Sequence, residues 1–194
     1  MFNFKKSNTL ADKKNHKIKL QLKLTDFGKQ NIIASTEIAD RINLLPTFHL
    51  DKLKEILYDP ERFTPQIINN SLEDLHADAQ GVFIQSHRMI VIYQIYNKQQ
   101  FYHVLFHELG HHVYFQIIGQ ALKMKWVKDI CRNDKFISKY ASRNAAEDFA
   151  ESYAAYLLEP DELKKIKLKY NFMRKHVFKD LAQIMQNNSL DYRA

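Results

Sequence analysis

The stretch His107-Glu108-Leu109-Gly110-His111 constrains this chain more than any other. In a helix of 3.6 residues per turn, side chains four apart stand on one face. His107 and His111 can therefore hold one metal ion between them, with Glu108 beside the vacant coordination position. Catalytic zinc takes neutral imidazoles and keeps a position open for water. A carboxylate next to that water takes its proton as a peptide bond is attacked. Phe101, Val104, Leu105, Leu109 and Val113 supply an apolar stripe at helical spacing, which puts the motif on a buried amphipathic helix. The competing reading is a helix whose histidines are satisfied core residues.

Two histidines are one ligand short of a catalytic zinc site. The best supply downstream is Asn144-Ala-Ala-Glu147-Asp-Phe-Ala-Glu151-Ser-Tyr-Ala-Ala-Tyr156. Glu147 and Glu151 share a helix face, while Phe149, Tyr153 and Leu157 can face a core. One carboxylate can bind zinc, and the other can hold the second nitrogen of a ligating histidine, which fixes its tautomer and ring orientation. His103 extends the spacing of four upstream of His107. Its distance from His111 along the axis, about 12 Å at 1.5 Å per residue, keeps all three from sharing one ion. His103 is thus expected as a cleft or packing residue. His112 points about 100° away from His111 and is no ligand.

With these residues in place a resemblance can be stated. His107-Glu-Leu-Gly-His111, then Tyr140, then Glu147-Asp-Phe-Ala-Glu151-Ser-Tyr153 resembles the catalytic domain of anthrax lethal factor and the related Pro-Pro endopeptidases. In that family a tyrosine lies seven residues before the ligand glutamate, and a second glutamate lies four after it. The resemblance implies that Glu147 is the third zinc ligand, Glu151 its outer partner, and Tyr140 the hydroxyl that stabilises the oxyanion. A phenol suits that task, since it can donate to charge developing on the attacked carbonyl. The match covers about residues 81 to 158. A rival resemblance, to cytoplasmic metallopeptidases that cleave phage-type repressors, rests on the same helix motif and on Tyr153-Ala-Ala-Tyr-Leu-Leu-Glu-Pro160. The spacing of Tyr140 and Glu147 favours the first.

The rest of the chain is read around this centre. Lys17 to Leu24 alternates strictly as a half-buried strand does, and Leu53–Tyr58, Gly81–Ile84 and Arg88–Ile95 read as further strands. A strand just before the motif helix can form an edge beside the metal, where an extended peptide adds by main-chain hydrogen bonds. Ile32 to Ile42 suggests a helix closed near Pro46, and a second helix spans about Arg143 to Leu158. Two more are expected near Asp161–Tyr170 and Phe172–Met185, while residues 69–80 form a polar connection. The expected fold class is α+β. It is a single zincin-like metallopeptidase domain over residues 16–194, a small twisted mixed sheet on the active-site helix with a helical C-terminal half. Residues 1–15 form a basic arm.

Composition narrows the partners. At 194 residues one compact domain needs no staples, and the single Cys131 rules out an internal disulfide framework. Cys131 is read as a bystander. No run approaches the length of a membrane-spanning helix, and Met1–Ser7 has no apolar signal core, so residence in the cytoplasm is expected. The net charge of +7 gathers in Lys5–Lys23, Lys123–Lys139 and Lys164–Lys179. Lysines alternating with apolar residues in Lys164–Lys169 suit a solvated helix face rather than nucleic acid. The expectation is a monomeric endopeptidase with one catalytic Zn2+, acting on proteins or peptides through a zinc-bound water activated by Glu108. The alternatives are a repressor-cleaving type of regulatory peptidase and a basic binding module on the same scaffold.

Overall fold

The computed structural model describes residues 22–63, 79–132 and 135–179. The chain is mixed α+β. Four short strands, β1 (Lys23–Thr25), β2 (Glu55–Tyr58), β3 (Gly81–Ile84) and β4 (Met89–Ile92), form one sheet in the order β1-β2-β4-β3. β1 and β2 run parallel to each other, and β2 runs parallel to β4. β3 folds back antiparallel to β4, with Val82 opposite Val91. Alternation gives the sheet two faces. Ile56, Ile90, Ile92 and Phe83 join the main core, while Met89, Val91, Tyr93, Leu57, Val82 and Ile84 cluster separately on the other side.

Against the inner face lies α2 (Lys98–His112), preceded in the chain by α1 (Ser35–Asn43). The Asn97 side chain accepts the Gln100 amide at 2.8 Å and caps the start of α2. This helix is buried nearly all round: Phe101, Tyr102, Val104, Leu105, Phe106 and Leu109 lie within 7% exposure, beyond the single stripe that spacing suggests. The sheet covers one side and α4 (Ala145–Leu158) the other, so both faces are apolar. A π turn at Val113–Ile117 ends the helical run, and α3 (Gln120–Lys125) follows.

The packing of α2 on α4 depends on Gly110. A Cβ there would meet Ala150 Cα at 2.7 Å and Tyr153 Cβ at 3.1 Å, so the two helices touch almost backbone to backbone. Beneath them Trp126, Phe149 and Phe172 pack edge to face. His49 is fully buried and bridges Tyr153 Oη and the Val177 carbonyl, each at 2.9 Å.

Several expectations shift. The strand read over Lys17–Leu24 lies mostly outside the described residues, as do the basic arm and most of the 69–80 connection; β1 begins at Lys23. The two helices expected after Pro160 break elsewhere, as α5 (Pro160–Lys164) and α6 (Lys167–Phe172), with a π turn at Met173–Val177. The break falls at Lys165–Ile166, where the Ile166 side chain turns into the core. Lys169 corrects the reading of its segment as a solvated face. It is wholly buried and paired with Asp148 at 2.5 Å, whereas Lys164 and Lys165 pair locally with Asp161 and Glu162. Removing one partner of such a buried pair strands a charge, at about 3–5 kcal/mol.

Candidate metal centre

α2 and α4 cross so that three ligand atoms meet. His107 Nε2 lies 3.1 Å from His111 Nε2 and 3.1 Å from Glu147 Oε2, which is 3.2 Å from His111 Nε2. Ligands bound tetrahedrally at about 2.0–2.1 Å stand about 3.3 Å apart, so this triangle is close to the size of one zinc ion. Glu147 Oε2 is buried and makes no well-directed hydrogen bond despite its two imidazole neighbours. Three ligand atoms gathered this closely are aimed at a common point, which suits a cation. Among the described residues, His107, His111 and Glu147 are the group of acidic and imidazole side chains whose ligand atoms meet in this way. A pair of imidazoles and a carboxylate is a donor set that catalytic zinc accepts.

Electrostatics point the same way. Burial disfavours charge on His107, yet the carboxylates of Glu147 and Glu151 against its two ring nitrogens and the nearby Glu108 charge overcome it, pushing its pKa up to about 10. Burial likewise disfavours the Glu147 carboxylate, but His107 and His111 pull it down to about 2. Glu151 is held well below the usual carboxylate range, against its own burial, by His103, His107 and Ser138. The carboxylates thus create a strong demand for positive charge at the triangle. A divalent ion would supply it and leave the imidazoles neutral.

Each flank has its own anchor. The Asn144 side chain accepts the amides of Ala146 and Glu147 at 2.9 and 3.0 Å, so Glu147 sits in a capped first turn. Glu151 Oε1 holds His107 Nδ1 at 2.8 Å, the bond that leaves Nε2 for the triangle. The same oxygen lies 3.3 Å from His103 Nε2, and His103 is half exposed at the cleft. His112 turns away as spacing requires: it reaches the Asp51 carbonyl at 3.1 Å and stacks edge-on to Phe83. Its burial lowers its pKa to about 4.

Glu108 is buried beside the triangle, and desolvation raises its pKa despite the lowering effect of His107 and His111. It also takes a hydrogen bond from the Phe83 backbone. β3 is the free edge of the sheet among the described strands. Gln80 and Tyr93 are a hydrogen-bonded pair of this ladder, so Gly81 and Phe83 turn their main-chain groups to the open edge. Gly81 lies so close to α2 that a Cβ would come within 2.7 Å of Val104 Cγ1 and 3.4 Å of Glu108 Cγ. Between this edge and α2 opens a cleft of about 350 Å³, lined by Gly81, His103, His107, Glu108, Tyr140 and Glu151 among others.

Tyr140 stands on the cleft rim, not in the core. Its ring is 40% exposed, edge-on to His107 at 5.6 Å, with the Arg143 guanidinium 4.1 Å from its centre. Burial and the Glu147 charge raise its pKa, so the phenol keeps its proton. The structure therefore brings together His107, Glu108, His111, Tyr140, Glu147 and Glu151. Asn144, Gly110 and Arg143 also shape the site and were not singled out from the sequence. An Asn just before an apolar helical run is a cap signal that could have marked the first of them. No family model matches the chain, and no curated protein or solved structure matches it either.

Proposed function

We propose that this chain is a zinc-dependent endopeptidase with a zincin-like fold, of the kind resembling the catalytic domain of lethal factor. The observation that carries the reading is the triangle of His107 Nε2, His111 Nε2 and Glu147 Oε2, with Glu108 buried next to it. Zinc held there would supply Lewis acidity, polarising the scissile carbonyl and acidifying water.

The chain's own residues do the rest. Glu108 takes the proton of the attacking water; its raised pKa suits a base working near neutral pH. It then carries that proton to the leaving amine. The protonated Tyr140 phenol donates to the oxygen that gains charge as the carbonyl is attacked. Glu151 holds His107 in one tautomer. Gly81 and the Phe83 carbonyl offer main-chain partners to an extended substrate lying along the edge of β3. The exposed ring of Tyr140 beside His107 favours the lethal-factor-like reading over the repressor-cleaving one, since a tyrosine at this spacing is what the former implies.

The test is metal content and peptide cleavage for wild type and Glu108→Ala. The expected result is about one zinc bound by both proteins, with cleavage only in the wild type. A wild type that takes up no zinc would sink the reading.

A further inference from the structure

The row of side chains that carries the metal ligands does not end at His111. Steps of four place His103, His107, His111 and Phe115 in line along α2 and its π turn. Ring contacts follow the row: 6.4 Å from His103 to His107, 4.7 Å from His107 to His111, and 6.1 Å from His111 to Phe115. Its two ends differ in chemistry. His103 is polar and tied to Glu151. Phe115 is stacked on His111, its plane tilted by 19°, and is 39% exposed while Val113 and Tyr114 beside it are buried.

The edge strand gives this row a direction. Gly81 lies over Val104 and Glu108, and Phe83 rests on His112, so β3 advances along α2 in the same sense. A peptide added to the free edge of β3 is therefore carried along the row. In the cleft it would pass His103 and His107, and its continuation would lead over the triangle towards Phe115.

We propose that Phe115 is a specificity-determining residue that receives a large apolar side chain of the substrate, within two residues of the scissile bond on the side away from His103. The assignment deepens the peptidase reading and rests on it. An extended peptide advances about 3.3 Å per residue, so a side chain that close to the bond reaches a ring one contact beyond His111. The phenyl offers no hydrogen bond, and burying it returns apolar surface from water. Lys123 does not make this end polar. Its ammonium is engaged by the Phe115 carbonyl at 3.1 Å and lies 5.7 Å from the centre of the Tyr114 ring.

A randomised peptide library, digested by zinc-loaded wild type and Phe115→Ala and read by mass spectrometry, tests this. Wild type should prefer large apolar residues at one position beside the cleaved bond. Phe115→Ala should weaken that preference about tenfold or more, the range for losing apolar pocket contacts, with zinc content and the other positions unchanged. Phe115→Leu keeps an apolar surface there and guards against an unstable alanine variant; it should retain the preference but favour aliphatic over aromatic side chains. Calorimetry of the best-cleaved peptide and its alanine counterpart, on Glu108→Gln with and without Phe115→Ala, should give a matching ratio without turnover. A wild type that cleaves with no apolar preference, or a Phe115→Ala that keeps it, overturns the assignment and leaves the peptidase reading standing. A zinc-loaded wild type that cleaves nothing overturns both.

Discussion

Glu147 and Tyr140 lie seven residues apart and are held in opposite ways. Glu147 is in the first turn of α4, its amide taken by Asn144, on a helix pressed against α2 and tied to α6 through Asp148 and Lys169. Tyr140 lies just before a short 3-10 turn at Ala141–Arg143, its ring open to solvent and contacting Arg143 and His107. Close by, the Ser138 hydroxyl accepts the Ala141 amide at 3.0 Å. The carboxylate is positioned by the whole fold, the phenol by one local segment. A metal must find its donors already converged, because gathering them would cost part of its binding energy. An oxyanion donor matters only as charge develops, so it can sit on the rim.

The largest expected effect separates these two regions directly. Tyr140→Phe should bind zinc as the wild type does while its turnover falls by about 10²–10³-fold, the usual loss for one oxyanion donor. Steady-state kinetics beside metal analysis check it; unchanged turnover would make the rim decorative. Next comes the buried side. Glu151→Gln keeps the shape but removes the charge behind His107, and zinc affinity should drop by about 10–100-fold, as measured by competition with a chelator. Zinc affinity equal to wild type would mean that Glu151 serves His103 rather than His107. The smallest effect is expected at the cap. Asn144→Ala should lower stability by about 1 kcal/mol in denaturant unfolding of the metal-free protein. It should also weaken zinc binding slightly, because the frayed turn is the one bearing Glu147.

How much of this was legible follows from the same contrast. Spacing of four is a property of the helix itself, so His107 with His111, and Glu147 with Glu151, could be paired before any fold was known. Which carboxylate joins the two imidazoles depends on how α2 and α4 cross, and the chain says nothing of that beyond the resemblance. The strands were legible in Gly81–Ile84 and Met89–Ile92 because β-branched and aromatic residues crowd there. Their order was not, since pairing is decided by contacts distant in sequence. Lys169 shows the limit best. Its neighbours are ordinary surface lysines, and Asp148 across the fold, with the Phe136 ring 4.4 Å from the ammonium, makes burial tolerable for it.

Gly110 gives the centre a mechanical character. Where helices meet through large side chains, rotamers can yield and absorb a displacement. At Gly110 and Ala150 there is scarcely any side chain to yield. A shift of α4 therefore reaches the Glu147 carboxylate almost undiminished, as with two rods clamped at one point. Substitutions elsewhere in the chain should then leave the triangle intact unless they move the rod itself. The weak spot of the site is a pair of residues outside the triangle itself.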